Sequence, residues 1–121
     1  MYLDEKQEVE NLASSVLHRY FSDNDVDYLV SLFVWLGAGK KQKAEGFDAV
    51  SRHFQNEKNV LMRCRMWDES YVTRKLADGC YLCEGTSELE SVDPGVLFHI
   101  RQRISFIFRR VDGALKIAHI H

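Results

Sequence analysis

The period of the hydrophobic pattern changes once along this chain of 121 residues, near residue 60. Before that point, apolar residues recur at spacings of three and four, as on one face of an α-helix. After it, apolar and polar residues alternate, as in strands that bury only one face. Helices followed by such strands predict an α+β fold, with N-terminal helices packed on one face of a curved antiparallel sheet.

The pattern places three helices and a short strand in the first half of the chain. The helices are expected at 3–21, 26–33 and 46–57, and FVW at 33–35 forms the short strand. In the second half, turn-forming residues at 77–79, 91–95 and 111–113 separate the strand-like segments. Those segments cover residues 60–67, 71–76, 80–89, 97–110 and 114–121.

Composition limits the class of protein. A hydrophobic content of 45% and a net charge of -2 predict one globular domain spanning residues 1–121. The charge gives no general attraction to nucleic acid or to an anionic membrane, so neither is expected as a partner. The three cysteines are an odd number in a chain whose acidic start is unlike a signal peptide. This favours reduced thiols and a cytoplasmic protein.

Two short motifs do not fit the chemistry that they suggest. Cys80 and Cys83 form a C-x-x-C, but on a strand residues three apart point to opposite faces, which favours structural thiols over a redox or metal site. In the segment FVWLGAGKKQKAEG, Lys41 stands where a P-loop needs Ser or Thr. We therefore interpret these glycines as a turn.

The last predicted hairpin holds the candidate site residues. A two-residue turn at Asp112-Gly113 would pair Phe108 with Ile117, Phe106 with His119 and Ile104 with His121. The face that packs on the helices would then be apolar apart from one amide and two imidazoles. Its predicted members are Phe98, Ile100, Gln102, Ile104, Phe106, Phe108, Leu115, Ile117, His119 and His121.

Buried amides and imidazoles need hydrogen-bond partners, and several kinds of partner are open. Backbone groups, one another or trapped water can satisfy Gln102, His119 and His121. Alternatively, the three side chains line a cavity and bind a small ligand, with Trp35 as an aromatic wall. The H-x-H spacing also suits a metal, but no third ligand lies nearby in the sequence, so we expect no metal and no cofactor.

The order of these parts and several phrases resemble the SnoaL-like branch of the nuclear-transport-factor-2-like (cystatin-like) superfamily. The phrases are W-L-G-A-G from Trp35, A-E-G-F-D-A-V from Ala44, and the closing R-I-S-F-I-F-R-R-V-D-G-A-L-K-I-A-H-I-H. The resemblance spans nearly the whole chain. It implies a cone-shaped half-barrel that encloses a pocket, and a homodimer commonly formed through the sheet. It also implies that Gly37, Gly39 and Gly46 set the backbone geometry of a corner.

The resemblance implies two different kinds of function, enzymes and sensor modules. The superfamily includes isomerases, polyketide cyclases, epoxide hydrolases and dehydratases, whose chemistry needs a carboxylate or an Asp–His pair in the pocket. In this chain the nearest acidic candidate is Glu84, provided that Cys80, Leu82 and Glu84 face the cavity. Another branch serves as an accessory or sensor module in bacterial signalling proteins, and the W-x-G-x-G phrase is closer to that group.

The sequence therefore favours a non-catalytic domain that binds an apolar small molecule through Trp35, Gln102, His119 and His121. Such a domain would act as a dimeric sensor, and the strand that ends at His121 suggests a piece of a longer chain with an attached output domain. Two alternatives remain. One is an isomerase, cyclase or hydratase with His119 or His121 as general base. The other is a structural dimerisation module with a filled interior.

Overall fold

A computed structural model describes residues 4–34, 52–56, 63–92 and 98–121. Within these ranges, the helices α1 (Glu5–Asp23) and α2 (Val26–Ser31) precede four strands: β1 (Cys64–Ala77), β2 (Cys80–Ser91), β3 (His99–Val111) and β4 (Ala114–Ile120). Residues 52–56 are also helical. The strands form one antiparallel sheet in the order β1-β2-β3-β4. The predicted α+β architecture is confirmed.

Side-chain caps fix the ends of the two N-terminal helices. Asp4 accepts a hydrogen bond of 2.7 Å from the backbone N–H of Gln7, which starts α1. Asn24 ends α1 with a left-handed φ of 56°. Asp25 then caps α2 by accepting from the backbone N–H of Tyr28 at 3.0 Å. Asn24 and Asp25 therefore separate the two helices, within the gap predicted between residues 21 and 26.

The helices cover one face of the sheet, which we call the inner face. Even-numbered residues of β3 and odd-numbered residues of β2 point to it, and Phe106, Phe108, Tyr81 and Cys83 are almost completely buried there. From α1, apolar residues at helical spacing complete the core: Val9, Ala13, Val16, Leu17 and Tyr20. The predicted inner row of β3 is confirmed up to Phe108.

Two of the hairpin turns match their sequence signals. Asp112 and Gly113 both have positive φ, 52° and 83°, as a tight turn between β3 and β4 requires. Gly79 has a φ of 71° in the turn between β1 and β2. Most of the predicted SVDPG turn, as well as Trp35 and the glycines from Gly37 to Gly46, lies outside the described residues.

The first strand differs from the prediction. Residues 64–67 and 71–76, expected in two separate segments, form a single strand within β1, interrupted by a bulge, and residues 60–62 lie outside the described residues. Trp67 pairs with Glu88 and Ser70 pairs with Thr86, so β1 has one more residue than β2 between the two pairs. Asp68 has a φ of 54° at this point. A bulge shifts the alternation by one residue, and it turns Glu69 and Tyr71 towards α1.

None of the three cysteines forms a disulfide. Cys83 is fully buried on the inner face, and Cys80 is partly exposed beside Arg109 on the other face, which we call the outer face. The two sulfurs of the C-x-x-C therefore diverge, as the strand pattern predicts.

Candidate functional site

A cavity of about 780 Å³ lies between the helices and the inner face of the sheet. Most of its described lining is apolar and comes from α1, α2, the helical residues 52–56 and the sheet: Val16, Leu17, Tyr20, Phe21, Leu29, Phe54, Leu89, Phe98, Ile100, Ile104 and Ile120. The polar residues of this lining are His53, Asn56, Gln102, Arg103 and His121. An apolar cavity with a few polar groups is the usual form of a small-molecule site.

Gln102 is the candidate residue that the structure places most clearly in this cavity. It lies on the inner face of β3 between Ile100 and Ile104, directly opposite Ser87 of β2. Its amide nitrogen donates a hydrogen bond to Ser87 Oγ at 2.9 Å and lies 3.4 Å from Met66 Sδ. These contacts fix the orientation of the carboxamide, since Ser87 is buried in the sheet.

The pairing of β3 with β4 is correct near the turn and wrong further along. Phe108 pairs with Ile117, as predicted, but Phe106 pairs with Ile120 instead of His119. The predicted pair Ile104–His121 is also wrong, because His121 exchanges backbone hydrogen bonds of 3.0 and 2.9 Å with Ser105. The cause is a bulge in β4: Ala118 has no partner between the pairs Phe108–Ile117 and Ile107–His119.

This bulge separates the two candidate histidines from the buried core. His119 lies opposite Ile107 on the outer face, is exposed and does not belong to the described cavity lining. His121 is exposed as well, but it forms part of the lining. Their rings are nearly parallel, with centroids 6.4 Å apart. His121 pairs with Ser105 as His119 pairs with Ile107, so both rings point to the outer side of the sheet. Gln102 is therefore the candidate side chain that lies in the cavity, His121 only borders it, and Trp35 is outside the described residues.

The proposed acidic candidate does not face the cavity. Cys83 and Leu89 of β2 are buried on the inner face, whereas Glu84 is exposed on the outer face. The condition under which Glu84 could serve a catalytic histidine therefore fails.

A cluster of polar side chains that the sequence did not reveal lies between α1 and β1. Glu69 accepts hydrogen bonds from Ser14 Oγ at 2.7 Å and from Tyr71 Oη at 2.7 Å, and its Oε2 lies 2.6 Å from His18 Nε2. The spacing of Ser14 and His18 places both on one side of α1. Their partner could not be read from the sequence, since the bulge at Asp68 is what turns Glu69 towards the helix.

The cluster has consequences for the ionisation of its members. Burial acts to raise the pKa of Glu69, but the hydrogen bonds from His18, Ser14 and Tyr71 together outweigh it and hold the pKa below its usual value. Burial, followed by the contact with the Glu69 carboxylate, raises the pKa of the Tyr71 phenol. Glu69 is therefore a carboxylate with three donors, and none of the four side chains belongs to the described cavity lining.

Comparison with known proteins identifies the fold. No protein-family model matches the sequence, and no curated protein sequence matches it either. Among solved structures, Aln2 from a Streptomyces species is 16% identical with a TM-score of 0.66, over 93% of this chain and 85% of that protein. A putative calcium/calmodulin-dependent protein kinase II association domain from Xanthomonas campestris is 15% identical with a TM-score of 0.66, over 100% and 94% of the two chains.

A third similar structure is an uncharacterised protein with a cystatin-like fold from Caulobacter vibrioides. It is 17% identical with a TM-score of 0.56, over 94% of this chain and 87% of that chain. The chain has a cystatin-like α+β fold, with helices packed on one face of an antiparallel sheet, and the fold expected from the resemblance is confirmed. At this level of identity the likeness defines the fold, and function must be argued from the site.

Two further observations concern only the part of the chain that the structure describes. Neither α1 nor α2 is long and apolar enough to cross a membrane. The described residues also hold no group of three or more His, Cys, Asp or Glu side chains arranged to bind a metal ion.

Proposed function

We propose that this domain binds an apolar small molecule in the cavity between its helices and its sheet, and that it acts as a binding or sensor module. The observation that carries the proposal is the cavity itself, about 780 Å³ in volume and lined mainly by apolar side chains. Burying the apolar surface of a ligand contributes about 25 cal/mol per Å², so such a lining favours an apolar ligand.

Polar side chains of the lining would set the orientation of that ligand. Gln102 lies on the otherwise apolar inner face, while Arg103 and His121 border the cavity with side chains that point to the outer side of the sheet. Few polar groups on an apolar wall are typical of specific small-molecule sites. Trp35, predicted from the sequence as an aromatic wall, remains part of the proposal.

Binding is favoured over catalysis by the location of the acid–base groups. The His18–Glu69 pair lies at the contact between α1 and β1, and three donors already engage its carboxylate. The described cavity lining includes two histidines, His53 and His121, and neither ring makes a hydrogen bond to a carboxylate within the described residues. A general base usually needs such an orienting partner.

The sensor role requires that the domain assemble with a second copy or with an attached output domain. The outer face of β1 exposes Val72 by 59% and Leu76 by 54%, and Leu82 and Ile107 are only partly buried on the same face. Exposed apolar side chains on one sheet face suit a homodimer formed through the sheets. Occupancy of the cavity would then shift how the two copies pack. A cytoplasmic location is part of the same proposal.

The test is a binding experiment with pyrene, an apolar fluorophore, and two matched tryptophan variants. Ile100 lines the cavity and is 43% exposed, so a larger side chain can be accommodated there without entering the packed core. Ile100→Trp should weaken pyrene binding at least about tenfold by filling the cavity. Val92 is 51% exposed and is not a lining residue, so Val92→Trp should leave the affinity unchanged. Equal effects of the two variants, or no binding to the parent protein, would contradict the proposal.

A further inference from the structure

The carboxamide of Gln102 has a nitrogen that donates a hydrogen bond and an oxygen that can still accept one. Its amide nitrogen is taken by Ser87 Oγ at 2.9 Å, with Met66 Sδ at 3.4 Å. Its oxygen Oε1 accepts no hydrogen bond from any residue in the described ranges. Because Gln102 lines the cavity and its nitrogen is turned to the sheet, the oxygen is the atom left for a ligand.

The chemistry of the neighbours supports this orientation of the amide. A thioether sulfur is only an acceptor, so it can receive a hydrogen bond from the N–H₂ arm but can give none to the oxygen arm. The reverse orientation would place the carboxamide oxygen against Met66 Sδ, where two electron-rich atoms would meet. The contact with Met66 thus assigns nitrogen to the arm that faces the sheet.

We propose that the ligand of this cavity carries a hydrogen-bond donor, a hydroxyl or an N–H group, on an apolar body, and that Gln102 Oε1 accepts from it. This inference rests on the proposed function, since it names the class of ligand for the same cavity. A carbonyl oxygen enclosed by Ile100, Ile104 and an apolar ligand would otherwise lose its water without gaining a partner, which is unfavourable. The site should therefore select a hydroxylated or amine-bearing molecule over its ether or ketone analogue.

Three fluorescent probes with the same ring system separate these possibilities. Pyrene has no polar group, 1-methoxypyrene has an acceptor only, and 1-hydroxypyrene has a donor. We expect 1-hydroxypyrene to bind about tenfold more tightly than either of the other two, as measured by fluorescence titration at neutral pH, because one satisfied hydrogen bond contributes on the order of tenfold in affinity.

Two methionine variants assign the preference to Gln102. Gln102→Met keeps the length of the side chain and removes its acceptor, so the advantage of 1-hydroxypyrene should disappear. Val92→Met introduces the same side chain at an exposed position outside the described cavity lining and should keep the advantage. Circular dichroism confirms that both variants are folded, and the comparison of probes in the parent protein stands without either of them.

The outcomes distinguish this inference from the proposed function. If all three probes bind equally, the inference is wrong and the apolar cavity remains a binding site. If 1-methoxypyrene gains as much as 1-hydroxypyrene, the amide nitrogen faces the ligand and the inference is again wrong. A preference for 1-hydroxypyrene that persists in Gln102→Met would assign the acceptor to another residue and overturn the inference. If none of the probes binds, the proposed function fails and the inference fails with it.

Discussion

His18 Nε2 lies 2.6 Å from Glu69 Oε2, and this contact joins α1 to the edge strand β1 across 51 residues of chain. Two further donors, Ser14 and Tyr71, bind the same carboxylate at 2.7 Å. The cluster lies at the side of the core, where α1 passes over the bulge in β1. It therefore fixes the position of the helix that forms one wall of the cavity.

Replacing Glu69 tests the contribution of this cluster to stability. Glu69→Gln should lower the free energy of unfolding at neutral pH by about 2 kcal/mol, because hydrogen bonds to a charged group are lost or weakened. The measurement is urea unfolding followed by circular dichroism. Glu84→Gln, which changes an exposed carboxylate on the outer face, is the matched control and should have little effect.

Glu69→Gln also tests how the stability of the protein depends on pH in the acidic range. The pKa of Glu69 is lowered from its usual 4.5 in the folded protein, so its stabilising contribution is present above pH 4.5 and is lost as the pH falls through the lowered value. The parent protein should therefore lose stability on acidification, and Glu69→Gln should lose less. Parallel acid limbs for the two proteins would show that Glu69 does not carry this dependence.

Tyr71 should determine how the stability of the protein changes at alkaline pH. Its pKa is raised above its usual 10.0 in the folded protein, so the stability from its neutral phenol is present below pH 10.0 and is lost as the pH rises beyond that value. Tyr71→Phe should cost about 1 kcal/mol at neutral pH and should flatten the alkaline limb. Unfolding at a series of pH values checks this, with Tyr28→Phe as the control. An unchanged alkaline limb would refute the assignment.

Gly85 is required by the ring of Tyr71. The two residues are directly opposite on β2 and β1, and a Cβ atom at Gly85 would lie 2.6 Å from Tyr71 Cε1. Gly85→Ala should therefore displace the ring and destabilise the protein by roughly 1–3 kcal/mol. In a Tyr71→Ala background the same substitution should cost much less, because the space is then free. Equal costs in the two backgrounds would contradict the steric explanation.

The proposed role of the outer face in forming a dimer can be tested by measuring the oligomeric state. Val72→Glu places a charge in the middle of the exposed apolar residues of β1 and should convert a homodimer to a monomer, as measured by sedimentation equilibrium. Val92→Glu introduces the same charge at another exposed position and should leave the dimer intact. A parent protein that is monomeric at micromolar concentration would rule out the proposed dimer.

The sequence was informative wherever the alternation of a strand is unbroken. The change of period predicted the order of helices and strands, and the alternation of β3 placed Gln102, Phe106 and Phe108 on the inner face. The Asp-Gly turn predicted the pair Phe108–Ile117 beside it. In these regions the face on which a residue lies follows from its position along the strand. The register with the neighbouring strands is not needed to predict it.

The bulges at Asp68 and Ala118 could not be predicted in the same way. Each adds one residue that is unpaired, and its position is set by the register with the neighbouring strand rather than by a residue type. The bulge at Asp68 turned Glu69 towards His18, and the bulge at Ala118 turned His119 away from the core. The missed cluster and the misplaced histidine therefore have one physical cause.

The location of a bound ligand is the most direct test of a cavity between helices and sheet. Methyl NMR spectra recorded during a titration with pyrene report this location, because the ring current shifts only methyl groups that lie near the ligand. We predict saturable shifts for Leu17, Ile104 and Ile120, which line the cavity, and none for Val72 and Leu76 on the outer face. Shifts confined to Val72 and Leu76, or a spectrum that does not change, would contradict the account.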